Sequence, residues 1–141
     1  MSETNKGFRV FVDSNILISA LLSEKSVPGK LLKLLIEEHN LIICSYSISE
    51  ISNVIQRKFP SLIGKWDKFL TTLEFELTYT PSDLTTVKIP PIRDEADIPI
   101  LVSVIIAQPD ILITGDQDFH KSEIQEYVAV LYPIRFPQSF L

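Results

Sequence analysis

Arg9-Val10-Phe11-Val12-Asp13-Ser14-Asn15-Ile16-Leu17 opens as a β-rich run, meets an acid, and continues from Asn15 to Leu22 with apolar residues at helical spacing. The same alternation returns along the chain. Ser26 can cap a helix whose Leu31, Leu32, Leu34, Leu35 and Ile36 form an apolar face ending near Asn40. Leu41 to Cys44 is a second buried strand, after which Ser47 starts a helix. An amphipathic helix with Leu62, Ile63, Trp66, Phe69, Leu70 and Leu73 follows Pro60, and Glu76 to Thr80 alternates as a strand. Ile98 to Ala107 is a nearly all-apolar helix with Pro99 in its first turn, where proline is tolerated. Ile111 to Thr114 and Val128 to Leu131 are two further apolar strands. Apolar strands separated by helices require a parallel sheet covered on both faces. The expected fold is α/β: a three-layer α/β/α arrangement around a central, mostly parallel sheet.

The 141 residues fit a single domain over 1–141, with no repeat, low-complexity tract or linker. Thr80 to Pro91, with three prolines, reads as a long connection. Thirteen Lys and Arg against eighteen Asp and Glu leave a net charge of −5, so a large basic footprint of the kind that binds nucleic acid by charge alone is absent. Cys44 is the one cysteine and sits in an apolar run, which suits a buried thiol and a reduced cytoplasm. Met1 to Gly7 is polar and Asp13 breaks the apolar run behind it, so neither an export signal nor a membrane span is expected.

The acids stand at informative places. Asp13 lies just past the end of the first strand, and Asp116 and Asp118 follow the fourth in Ile111-Leu112-Ile113-Thr114-Gly115-Asp116-Gln117-Asp118. Open α/β sheets take ligands beyond the carboxyl ends of their strands. Glu50, one turn into the helix after the second strand, can project toward the same edge. Asp97 begins the apolar helix before the fourth strand, and its place at that edge does not follow from layout alone. Each acid also has a plain local explanation. Asp13 and Asp97 can cap helices, Ser47-x-x-Glu50 has the form of a capping box, and Gly115-Asp116 suits a turn. Capping does not require all four to gather at one edge. A gathered set without basic partners repels itself unless a hard divalent cation such as Mg²⁺ or Mn²⁺ neutralises it. Such a cation binds phosphate oxygens and lowers the pKa of coordinated water.

Competing chemistries are poorly supplied. No nucleophilic triad is available, and only Gly7, Gly29, Gly64 and Gly115 occur, too few and too scattered for a phosphate loop. His39, at a helix end, reads as a surface cation facing the dipole, and His120 as a surface residue rather than a ligand.

Four stretches together are similar to PIN domains. Val10-Phe-Val-Asp13-Ser-Asn15-Ile-Leu-Ile-Ser-Ala20-Leu resembles their opening motif, and Ser45-Tyr-Ser-Ile-Ser-Glu50-Ile their second. Arg93-Asp-Glu-Ala-Asp97-Ile-Pro-Ile-Leu101 resembles the third, and Ile111-Leu-Ile-Thr114-Gly-Asp116-Gln-Asp118-Phe119 the fourth. The ending, Phe136-Pro-Gln-Ser-Phe-Leu141, is similar to that of PIN-family toxins of toxin–antitoxin pairs. The resemblance implies a metal-dependent endoribonuclease using Mg²⁺ or Mn²⁺, with Asp13, Glu50, Asp97 and Asp116 as metal-binding catalytic acids. It further implies Asp118 as an auxiliary acid and metal ligand, and Asn15 and Thr114 as polar supports. Asp94 and Glu95 stand close enough to Asp97 to compete for its role. An RNA substrate, a cognate antitoxin and a homodimer are implied as partners, with no membrane.

With an acidic chain, RNA requires local compensation. Arg57, Lys58, Lys65 and Lys68 are the candidate contacts, although a solvated helix face is the favoured reading of them. Lys25, Lys30 and Lys33 form a second such group. The rival reading is a catalytically silent module of the same fold that binds RNA or protein. Two other Mg²⁺ phosphoryl-transfer classes fit poorly. A dehalogenase-like phosphatase needs a second aspartate where Asn15 stands, and a receiver domain needs one where Cys44-Ser45 ends the second strand.

Overall fold

The computed structural model describes residues 7–72 and 74–136. Leu73 and the C-terminal stretch 137–141 lie outside the described residues, as does most of the polar start at 1–6. Five strands, β1 (Arg9–Val12), β2 (Asn40–Cys44), β3 (Glu76–Thr78), β4 (Ile111–Ile113) and β5 (Ala129–Leu131), form one sheet in the order β3-β2-β1-β4-β5. Every pairing is parallel, with Val10 opposite Leu41 on one side and Ile111 on the other. The expected sheet is therefore fully parallel. The strand order reverses direction between β1 and β4, which opens the crevice where such folds place ligands.

Alternation along the strands divides the core into two layers. Val10, Val12, Leu41, Ile43, Ile111 and Ile113 face one way and meet Leu17, Leu35, Ile51, Ile55 and Trp66. Those partners come from α1 (Ser14–Leu22), α2 (Val27–Glu38), α3 (Ser45–Lys58) and α4 (Ile63–Thr72). Phe11, Ile42, Cys44 and Leu112 face the other way, onto Leu101, Val104 and Phe119. That side is covered by α5 (Ile98–Ala107) and α6 (Ser122–Gln125). Cys44 is buried, as its apolar run implied.

Local chemistry accounts for the element boundaries. Asp13 Oδ1 accepts from the amides of Asn15 (3.1 Å) and Ile16 (3.3 Å), which caps α1. Ser26 caps α2 by accepting from Gly29 N at 3.1 Å. Gly29 is required there, because a Cβ would lie 2.3 Å from the carbonyl oxygen of Ser23. α5 ends at Gln108, whose φ of 50° is left-handed.

Three local expectations are corrected. The helix after β2 begins at Ser45, not Ser47, and its cap position is held by Cys44 without a side-chain bond. Ser47 is buried inside it, bonded to Ser14 Oγ at 3.1 Å and 3.3 Å from Cys44 Sγ. The capping-box form of Ser47-x-x-Glu50 is thus coincidental and leaves Glu50 outside that role. His39 is no surface cation either. Its Nδ1 accepts from Phe8 N at 3.0 Å, its ring stacks on Phe8, and burial lowers its pKa, so it is a neutral structural acceptor. Thr80, expected as the last residue of a strand, lies just beyond β3, where its hydroxyl accepts from Tyr46 N at 3.2 Å.

Candidate metal centre

Four elements deliver one carboxylate each to the carboxyl edge of the sheet. Asp13 follows β1, Glu50 projects from the first half of α3, Asp97 immediately precedes α5, and Asp116 follows β4. All four line one cavity of about 100 Å³, together with Ser14, Asn15, Ala96, Ile100 and Phe119. Asp97 reaches that edge because a helix joining parallel strands runs back against them, which puts its N-terminus at the carboxyl ends. Asp94 and Glu95 do not line the cavity, and Asp94 instead caps a single 3-10 turn by accepting from Ala96 N at 3.0 Å.

A chain of hydrogen bonds holds the acids in place. Asp13 caps α1 with Oδ1 and accepts from the Thr114 hydroxyl with Oδ2. Thr114 Oγ1 in turn accepts from Asp116 N at 3.0 Å, and Asp116 Oδ1 from Asp118 N at 2.9 Å. Thr114 is fully buried between the two acids it connects. Asn15 is exposed at the cavity rim. His120 is half-buried, stacked on Tyr132, with Nε2 2.8 Å from the Thr114 carbonyl, so it is neither a free surface residue nor part of the acid cluster.

The electrostatics are those of crowded like charges. Burial, followed by Asp116 and then the charges of Asp94 and Asp118, raises the Asp97 carboxyl to about 7. Burial also raises Asp13, against the lowering pull of its bonds to Thr114, Ile16 and Asn15. Tyr46 is raised by burial and then by Glu50 and Asp97, which places its phenol beside the same acids. Asp97 Oδ2 is buried and has no hydrogen-bond partner.

These residues fit a hard divalent cation. Oxygens of Asp97, Asp116 and Asp118 lie within 4.8 Å of one another. Oxygens across a single Mg²⁺, each held at about 2.1 Å, are separated by about 4 Å, so a small inward adjustment suffices. Asp97 and Asp116 belong to both this trio and the cavity. Asp13 and Asp118 are each already engaged by protein donors. Asp97 brings a buried oxygen with no hydrogen-bond partner.

Arg93 is the functional candidate that sequence reasoning passed over. Its Nε lies 3.1 Å from both carboxylate oxygens of Asp118, and Nη2 lies 2.9 Å from Oδ2. The signal was a cation at the head of the third acidic motif.

The basic residues suggested as RNA contacts do not line the acid cavity. Arg57 and Lys58 close the last turn of α3, about 10 Å along the axis from Glu50. Lys65 and Lys68 line a separate groove of about 650 Å³ beside α1 and α2, shared with Lys25, Lys30 and Lys33. Lys65 donates to the Leu21 carbonyl at 3.0 Å and pairs with Glu24.

Comparison with known proteins follows the same lines. The family described as PIN domain matches residues 9–118. The uncharacterised protein MJ1680 of Methanocaldococcus jannaschii is 30% identical over 112 residues, covering 78% of this chain and 72% of its own. Among solved structures, VapBC2 from Rickettsia felis, bound to a DNA fragment from their promoter, superposes with a TM-score of 0.63 at 16% identity, over 88% of this chain and 98% of that one. VapC20 of Mycobacterium tuberculosis, a sarcin-ricin loop cleaving toxin, gives 0.56 at 12% identity, over 79% and 92%.

Proposed function

The chain belongs to the PIN-domain family, and from that footing we propose that it is a metal-dependent endoribonuclease that hydrolyses RNA phosphodiester bonds as the toxin of a toxin–antitoxin pair. The carrying observation is the convergence of Asp13, Glu50, Asp97 and Asp116 on one small cavity, with a buried Asp97 oxygen that has no partner. These four acids, with Asp118 beside them, would hold Mg²⁺ or Mn²⁺. When bound, such a cation supplies charge neutralisation at a phosphate and activation of water for in-line attack.

The protein's own groups set up that chemistry. Thr114 orients Asp13 through its hydroxyl and the Asp116 backbone through its oxygen, so both carboxylates face the cavity from fixed backbones. Asp97, raised to about 7, is about half protonated in the cation-free site at neutral pH and must lose that proton for the oxygen carrying it to serve as a ligand. Asn15 supplies a polar group at the rim.

The wider reading is a single domain over 1–141, active in the cytoplasm, silenced by a cognate antitoxin and associated as a homodimer. The fold likeness to a chain of a VapBC complex supports the antitoxin. No helix among the described residues is long and apolar enough to cross a membrane.

The test is incubation with single-stranded and structured RNAs in Mn²⁺, Mg²⁺ or EDTA, alongside Asp13→Asn. Cleavage that requires the cation and disappears in the variant is the expected result. Cleavage in EDTA, or undiminished in Asp13→Asn, overturns the assignment. Absence of both cleavage and Mn²⁺-induced stabilisation favours the catalytically silent module.

A further inference from the structure

Arg93 and Asp118 form a pair that metal chemistry alone leaves unexplained. The Asp118 side chain is 10% exposed, while that of Arg93 is 77% exposed. Two guanidinium N–H groups, on Nε and Nη2, are directed at the Asp118 carboxylate. A guanidinium has five such donors in a rigid plane, so three remain. Asp118 is itself fixed by its backbone, whose N–H donates to Asp116 Oδ1 at 2.9 Å. The cation is thus anchored from beneath, one residue beyond the acids, with its outer edge in solvent.

The geometry points to Arg93 as a phosphate-binding group of this site, oriented by Asp118. This rests on the ribonuclease reading and names the contact by which that site takes hold of its substrate. Three observations carry it. Both Asp118 oxygens already accept from Arg93, whereas Asp97 presents a buried oxygen with no partner. Arg93 is a basic side chain hydrogen-bonded directly to the acid cluster. The lysines that could otherwise draw RNA, Lys65 and Lys68, line a different groove. An acidic site facing a polyanion requires a cation at its edge, and a guanidinium held in one plane matches the paired oxygens of a phosphate.

A bland alternative is that Arg93 merely neutralises a buried carboxylate. The two roles separate in binding measurements without turnover. In EDTA, binding of a fluorescent single-stranded RNA is measured for the wild type, Arg93→Gln, Arg93→Lys and Asp118→Asn. The expected result is an affinity lower by about tenfold in Arg93→Gln, the lower end for a lost hydrogen bond to a charged group. Arg93→Lys recovers part of it, because charge survives and planarity does not. The slope of log affinity against log salt becomes shallower by about 0.7 in Arg93→Gln, one phosphate contact on a single strand. Asp118→Asn weakens RNA binding in the same direction. In a parallel Mn²⁺ titration followed by thermal shift, Arg93→Gln keeps the wild-type response while Asp116→Asn loses it.

Unchanged RNA affinity and salt slope in both Arg93 variants overturn the inference, as does loss of the Mn²⁺ response in Arg93→Gln. In either case a wild type that binds Mn²⁺ and RNA leaves the ribonuclease reading standing. A wild type that binds neither removes both.

Discussion

Thr114 shows how much one hydroxyl can organise. It donates to a carboxylate 101 residues earlier and accepts from the amide two residues later, so the two central acids share one buried support. Replacing it with valine keeps the volume and removes both bonds. Thr114→Val is expected to lower Mn²⁺ affinity or turnover by about 10–100-fold with the fold intact, measured by metal titration and circular dichroism. Asp97 provides a second test. Its carboxyl is raised from 3.8 to about 7 in the folded chain, so the native state binds the proton more tightly than the unfolded one. That contribution is complete below about pH 4 and is lost as pH climbs toward 7. In EDTA, the wild type is therefore expected to lose Tm across this window relative to Asp97→Asn, with the two curves parallel above it. Parallel curves throughout would refute the raised carboxyl. Asp13 and Asp116 were legible because each stands directly after an apolar strand. Arg93 was not, since its meaning depends on a connection folding back onto Asp118, 25 residues further along.

At the scale of elements, the strands were the easier reading. β1, β2 and β4 are apolar runs buried on both faces, and that burial left no competing interpretation. The start of α3 was misread by two residues because Ser47 and Glu50 imitate a cap. The true start is entered straight from β2, and the serine hydroxyl is used across the core to hold Ser14. Asp97 was uncertain from layout for a different reason: the return path of a crossover helix had to be considered in three dimensions. The junction of α1 and α2 offers a stability test. The Gly29 Cα lies so close to the backbone of Ser23 and Glu24 that an alanine methyl would meet three backbone atoms at 2.3–2.7 Å. Gly29→Ala is expected to destabilise the fold by about 1–3 kcal/mol, read from urea unfolding, despite its better helix propensity. Gly64→Ala, with nothing within 4 Å of the added methyl, is expected to be neutral or stabilising.

For the whole molecule, the acids are an electrostatic cost that a cation removes. A ligand that binds only the folded state stabilises it by mass action, so Mn²⁺ is expected to raise Tm in a concentration-dependent manner. The rise should be larger at pH 8 than at pH 6, because Asp97, raised to about 7, must lose its proton before it can coordinate. A rise independent of pH would place the bound ion elsewhere. The sheet order has one further consequence. β1 is made first yet lies in the middle of the sheet, waiting for β4 to pair beside it. Until the ribosome has delivered Thr114 and Asp116, the N-terminal acids have no counterpart across the crevice. The acid cavity therefore closes only when β4 has paired with β1, after Asp13, Glu50 and Asp97 have already been made.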